Sequence, residues 1–423
     1  MNSIQLPNRD KLILGIMGGI GLLSMIYILL NDDDHFSRFW TNFLHNSVYF
    51  TLIALFAIFF VAVNRTAYAG WSVGFKRVWE AMSQFMLVGF VLMLIIGIGV
   101  FLHWHHLYHW ADEPAVQSDA VLTGKSSFLN KYWYLIGGSI IMGSWIFFAH
   151  KLRSLSIHED DHGGNDHSHY NKMKFYAAIF LPIVGFSSAA AIWLWVMSVD
   201  AHWYSTMFAW YCSASCFVSM IALTILLLIY LKNRGYYSNV NSEHFHELGK
   251  YLFAFSIFWT YLWFSQYMLI WYGNVGEETI YFKTRIQEYP ALFYGNLLVN
   301  FFLPFLILMR NDSKRKYGTM ILAALLVFIG HWVDLFQMIK PGALHTIQES
   351  MNHAASATEA ASGHGHEAAS SFKMGFSIPG IADIGFMLGY LALFIATTLH
   401  FLAKAPLVPK NDPFLQESLH HHV

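Results

Sequence analysis

Apolar residues in this chain follow neither the two-residue alternation of a half-buried strand nor the narrow stripe of a surface helix. They come in blocks of about 20, long enough for a helix to cross the ~30 Å hydrocarbon layer of a bilayer. Ten such blocks run near Leu12–Leu30, Ser47–Val63, Ala81–Leu102, Tyr132–Ala149, Phe175–Ser198, Thr206–Leu231, Tyr251–Tyr272, Ala291–Met309, Tyr317–Met338 and Ile378–Ala403. They predict an all-α integral membrane protein of about ten transmembrane helices. The first block lacks a small-residue cleavage site and is followed directly by the acidic "NDDDH" (31–35), so it is expected to be an anchor and not a removed signal peptide.

Composition agrees. Hydrophobic residues make up 56% of the chain and charged ones 12%, against about 25% charged in an average soluble domain. A net charge of −1 leaves no basic footprint for nucleic acid. Two cysteines, Cys212 and Cys216, exclude a disulfide framework and any four-cysteine metal site. They share a face of the sixth block and are expected to be small core residues. Cationic side chains set the orientation. With the N-terminus inside, 18 of the 25 lysines and arginines fall in inner segments and 7 in outer ones. Both termini are then cytoplasmic.

The blocks divide the chain into an N-terminal anchor helix with an outer loop (1–46), a first four-helix bundle (47–205), a second (206–340), an outer loop (341–377), and a last helix with a cytoplasmic tail (378–423). The outer loop contains "HTIQESMNHAASATEAASGHGHEAASS" (345–371), and an inner loop reads "HEDDHGGNDHSHY" (158–170). Neither has the apolar surface to offset the entropy of ordering, so both are expected to be disordered. The bundles close on similar sequences, "VMSVDAHWY" (196–204) and "FIGHWVDLF" (328–336), each with an Asp, a His and a Trp. Either a parallel internal repeat or chance likeness of interfacial sequence accounts for this.

Ionisable groups near hydrocarbon are costly and tend to be functional. The middles of the blocks contain no Asp, Glu, Lys or Arg, and their deeper polar groups are neutral: Gln84, Ser187, Ser188, Gln266, Asn296 and Asn300. That weighs against a self-sufficient ion-driven transporter. It also leaves no histidine pair to ligate a haem, and no metal site is expected. Candidate proton-handling or quinone-site residues lie at the block ends: His103 and His106 in "FLHWHHLYHW" (101–110), Asp200, His202, His331, Asp334 and Asp383 toward the outside, and Glu80 toward the inside. The outer seven, with His105 and His109 of the same stretch, could ring one cavity. Histidine can release a proton there near neutral pH, as hydroquinone oxidation requires. Trp193, Trp195, Trp203, Tyr204, Trp210 and Tyr211 could pack on a flat ring or form an interfacial aromatic belt. For Glu80 the plainer reading is an interfacial carboxylate beside Lys76 and Arg77.

Three stretches carry a resemblance: "SVDAHWYSTMFAWY" (198–211), "FWTYLWFSQYMLIWYGNVGEET" (258–279), and Pro290 followed by Gly295, Asn296 and "NFFLPFLILMR" (300–310). They resemble the ActF membrane subunits of bacterial alternative complex III, a quinol:cytochrome c oxidoreductase. More distantly they are similar to NrfD and polysulfide-reductase membrane subunits. The resemblance covers nearly the whole chain outside the histidine-rich loops. It implies two four-helix bundles with flanking helices in a bacterial inner membrane. It also implies a set of partners: an ActC-like sister subunit, an iron–sulfur subunit, multihaem c-type cytochromes, small membrane subunits and, in some bacteria, a docked cytochrome c oxidase. Haem c and iron–sulfur clusters then belong to those partners. For this subunit the resemblance leaves open proton translocation, a second site for quinone or menaquinone, and a purely structural role.

Overall fold

The computed structural model describes residues 4, 7–33, 36–162, 166–359 and 373–422. These form helices joined by turns, with no named strand among the described residues. Among the described residues, nine helical stretches are long and apolar enough to cross a membrane: α1 Asn8–Leu30, α2 Ser37–Thr66, α3 Val73–Phe101, α4 Trp133–Asp161, α5 Ser168–Val199, α6 Thr206–Asn233, α8 Pro290–Leu308, α9 over Tyr317–Thr346, and α10 Ile381–Leu402. Between them, α7 (Ser242–Gly273) has the length for a tenth span at 32 residues. Its many polar-tipped Trp and Tyr residues make it less apolar than the rest. The chain is an all-α, multi-pass integral membrane protein of about ten helices.

Helices α2, α3, α4 and α5 pack in a closed ring, and α6, α7, α8 and α9 in a second. The rings meet where α2 lies against α6 and α9 and where α5 lies against α6. That seam is the centre of the molecule: 89% of the apolar window is buried in both α2 and α6, against 11% in α1. Helices α1 and α10 form an outlying pair on the flank of α2 and α3. Their approach depends on missing side chains, since a Cβ on Gly21 would lie 2.4 Å from the Gly389 Cα. Both chain ends lie on one face, here the terminal face. The opposite, distal face carries residues 102–131, 200–205 and 373–380.

Several boundaries differ from the sequence reading. Helix α2 begins ten residues before Ser47. Its first turns carry Thr41, Asn42, His45 and Asn46, which depress hydropathy yet are completely buried. Helix α9 does not end at Met338. Its backbone stays helical to Glu359, through about half of the segment expected as loop. The sequence there has four alanines together with Leu344, Gln348, Glu349 and Met351, all good helix formers, and extending an existing helix costs no nucleation. Residues 360–372 lie outside the described residues. The inner loop at 158–170 is likewise mostly helix, to His162 and again from Ser168, with 163–165 outside the described residues. Helix α3 ends at Phe101, one residue before the expected Leu102, and His103, His105 and His106 lie outside it.

Residues 404–422 fold back over the terminal face. Asp412 accepts from Arg65 at 2.7 Å and from Lys76 at 2.5 Å. The Lys410 backbone N–H donates to Asp160 at 2.9 Å, and Ser418 donates to the Trp71 carbonyl at 2.8 Å. Burial pushes the Asp412 carboxyl upward, but Lys76 and Arg65 outweigh it and hold the group below the usual carboxylate range.

Candidate functional site

The four helices of the second ring converge on one carboxylate. Asp334 has no exposed surface. It lies 12 residues before Thr346, the end of the apolar stretch of α9, or about 18 Å along the helix axis. Tyr211 and Ser215, one turn apart on α6, both donate to it, Tyr211 to Oδ1 and Ser215 to Oδ2 at 2.9 Å. The Trp259 indole N–H of α7 reaches Oδ2 at 2.9 Å, and the Asn296 amide of α8 reaches Oδ1 at 3.3 Å. Asn296 also donates to Gln337 at 2.6 Å.

His331, one turn earlier on α9, completes the cage. Its Nδ1 lies 3.0 Å from Ser215 Oγ and 3.8 Å from Asp334 Oδ2. Because Ser215 gives its only proton to Asp334, it accepts from His331, which fixes the proton of a neutral ring on Nδ1. Nε2 then faces the protein interior without a hydrogen-bond partner, as do both polar atoms of Asn300 and the Gln337 amide nitrogen. Asn300 sits in a π-turn, Leu298–Phe302, a local widening that recurs at functional sites. A Cβ on Gly330 would lie 2.1 Å from Asn300 Oδ1, so glycine is needed beside His331. Among the described residues no lysine or arginine forms an ion pair with Asp334.

Buried polar groups lead from this cage toward both faces. Just on the terminal side of the cage, Tyr49 lies 3.0 Å from Ser219 and donates to the Phe328 carbonyl at 2.7 Å, and the polar groups of α2 run from there toward the distal face. One turn on, His45 Nε2 lies 2.9 Å from the Trp332 carbonyl, and the Trp332 indole donates to Asn46 at 3.0 Å. A further turn on, Thr41 accepts from the buried Lys340 at 2.9 Å, while Asp383 accepts from Arg38 at 2.8 Å and Asn42 at 2.6 Å. Arg38 is partly exposed and reaches solvent. On the terminal side, Thr224 accepts from Trp79 at 3.0 Å, and below it Glu80 and Asp160 share Arg77 at 2.9 and 2.7 Å.

The residues expected to ring one outer cavity are therefore dispersed. His331 and Asp334 lie inside the second bundle and not at its mouth. The expectation that the apolar middles hold no charged type is overturned by Asp334, and Lys340, one of the seven cations expected in outer segments, is wholly buried. Asp383 belongs to the Arg38 pair between α2 and α10, and Glu80 is a buried member of the terminal-face ion pairs. Asp200 is held by Arg285 at 2.9 Å, and the Arg285 guanidinium lies 3.3 Å from the Tyr281 ring centroid. His202 is exposed and turns the other way, 2.5 Å from Asp119, a bond that keeps the Asp119 carboxyl below its usual range. His103 and His106 are exposed. The likeness between the two bundle ends thus does not extend to equivalent surroundings.

Of the six aromatic residues, Trp193 and Trp210 line a cleft of about 560 Å³ between α5 and α6, with Phe186 and Phe258. Trp203 instead stacks on Tyr281, centroids 3.9 Å apart. The cleft offers walls for a flat ring, but none of its lining residues is a carboxylate or imidazole that could take a hydroquinone proton. No group of three or more His, Cys, Asp or Glu poised to hold a metal occurs among the described residues. Cys212 and Cys216 are buried free thiols.

In the distal loop, His105 is buried with Nε2 3.2 Å from the Ile96 carbonyl, and burial lowers its pKa from 6.5 to about 4. A lowered histidine pKa means the unfolded loop binds the proton first. The contribution to stability is complete above about pH 6.5 and is lost as pH falls toward 4, up to about 3 kcal/mol. The hydrogen-exchange protection factors of residues 102–131, taken relative to the intrinsic rate at each pH, are expected to fall between pH 7.5 and 4.5 in the native chain, and His105→Gln is expected to flatten that dependence.

Comparison with known proteins finds no family model that matches the chain and no curated protein that matches it.

Proposed function

We propose that this chain is an ActF-like subunit of a quinol:cytochrome c oxidoreductase in a bacterial inner membrane, and that it carries protons coupled to quinol oxidation by its partners. One observation carries the reading: a carboxyl group sealed inside a membrane-spanning bundle with neutral donors and an imidazole around it, and no lysine or arginine among the described residues paired to it. A buried carboxylate without a counter-cation is costly, and a proton is the neutraliser at hand. Asp334 and His331 can hold one proton between them, Asp334 on a carboxyl oxygen or His331 on Nε2. His45 gives it a route toward Lys340 and Asp383, with Ser219 and Tyr49 as the approach from the terminal side, and water completing the unpartnered atoms would join the steps. With the terminal face cytoplasmic, as the lysine and arginine bias implies, the route delivers protons outward. Quinol is oxidised in a partner, since the residues of this chain that handle protons do not line its aromatic cleft.

Gentle purification from native membranes tests the assembly. Multihaem c-type cytochromes and an iron–sulfur subunit are expected to co-purify at fixed stoichiometry, giving a c-type haem spectrum. A colourless chain that purifies alone would overturn the proposal and redirect attention to transport by the chain itself.

A further inference from the structure

The α1–α10 pair packs on α2 and α3 but leaves a slot against α6 and α9. The slot has a volume of about 290 Å³. Its walls are aliphatic for most of their length, with Ile13, Met17, Leu226, Leu325 and Ile395 among them. Interiors are normally close-packed, so a gap this size between four membrane helices calls for an occupant. The chemistry changes only at the terminal-face end. There Asp10 accepts from Tyr230 at 2.5 Å and from Arg234 at 2.5 Å. Asp10 is thereby committed, while the Arg234 side chain stays about a third exposed. Arg9 and Lys11 flank Asp10 on the first turn of α1, and both are exposed. The slot is therefore an apolar channel with an excess of cations at one end.

We propose that the slot binds one anionic phospholipid, an acyl chain between the α1–α10 pair and the second bundle and the phosphate at Arg234, Lys11 and Arg9. Guanidinium groups suit phosphate because several N–H donors face it at once. Basic side chains at a membrane surface favour anionic lipid. The lipid joins the outlying pair to the second bundle, where protein contacts are sparse. Since Phe328 lines the slot and its carbonyl accepts from Tyr49, the occupant also abuts the polar route of the second bundle. The site itself does not depend on the function proposed above.

The test uses the chain as purified, with its partners or alone, after detergent washing and addition of either phosphatidylglycerol or phosphatidylcholine. One phosphatidylglycerol per chain is expected to survive native mass spectrometry and to raise the melting temperature more than phosphatidylcholine does. Arg234→Gln with Lys11→Gln is expected to weaken that preference roughly tenfold, because each cation near the surface contributes a few-fold. Leu226→Trp, which fills the slot, is expected to remove the bound lipid. If Leu226→Trp does not fold, Ile13→Trp, on the more exposed helix, serves the same purpose. Equal retention of the two lipids, undiminished binding in the slot-filling variant, or a quinone recovered in place of phospholipid would each overturn the proposal.

Discussion

Asp334→Asn is expected to cut proton-coupled turnover of the assembled complex at least tenfold while the complex still forms. The substitution keeps the size of the side chain but removes the group that takes up a proton. It also has a structural cost. Four donors converge on the two carboxyl oxygens, and an asparagine presents one oxygen and one NH2 to them. Donors left facing the amide cost about 1–3 kcal/mol each when buried, so a lowered melting temperature is also expected. The two effects are separable. Trp259→Phe removes one donor at 2.9 Å and leaves the acid in place, so it is expected to lower stability with little loss of turnover. If the two variants lose turnover in proportion to their loss of stability, Asp334 is a structural group and the chain is a scaffold for its partners. Proton release per electron, measured in vesicles, is the direct readout. An unchanged ratio in Asp334→Asn would sink the relay.

The second large effect is expected at the opposite face. Asp412→Ala leaves Arg65 and Lys76 buried without their shared carboxylate; the two cations are 6% and 4% exposed. Breaking a buried ion pair by removing one partner costs about 3–5 kcal/mol, so the variant is expected to melt well below the parent. Proteolysis of the 404–422 tail should become rapid as it detaches from Trp71 and Asp160. The pH dependence has a definite sign. The folded-state carboxyl is held below its unfolded value, so its contribution is fully present above about pH 4. It is lost as acid titrates the group in the folded chain. The parent should therefore lose the tail contact only in strong acid, and Asp412→Ala should show no such transition. A tail equally protected in Asp412→Ala would show that Ser418 and Lys410 suffice to hold it.

Much of the candidate site was present in the sequence as pattern. Tyr211, Ser215 and Ser219 recur every four residues on α6, and Thr41, His45 and Tyr49 do so on α2. Such spacing places a polar stripe on one helix face. Hydropathy averaging conceals it, because the average weighs composition and ignores direction. The same averaging began α2 at Ser47 and ended α9 at Met338, so His45 fell outside any span and Asp334 seemed to lie at a mouth. Once α9 is followed through Lys340 to Thr346, the same aspartate is about three helical turns from the end of the apolar stretch. Pairing was equally invisible. Arg285 joins Asp200 across 85 residues, and Arg38 joins Asp383 across 345, separations over which one sequence carries no local signal.

The sequence by itself determined that this is a helical membrane protein, roughly where its spans run and how many there are. Those properties follow from transferring apolar side chains out of water, which depends on composition over a window of about 20 residues. Only the tertiary structure decided which polar residues are buried, which are paired and which stand alone. Burial and pairing are properties of the space between helices. The cage around Asp334 exists because three helices bring donors from different parts of the chain to a carboxylate on a fourth, all within the same few ångströms.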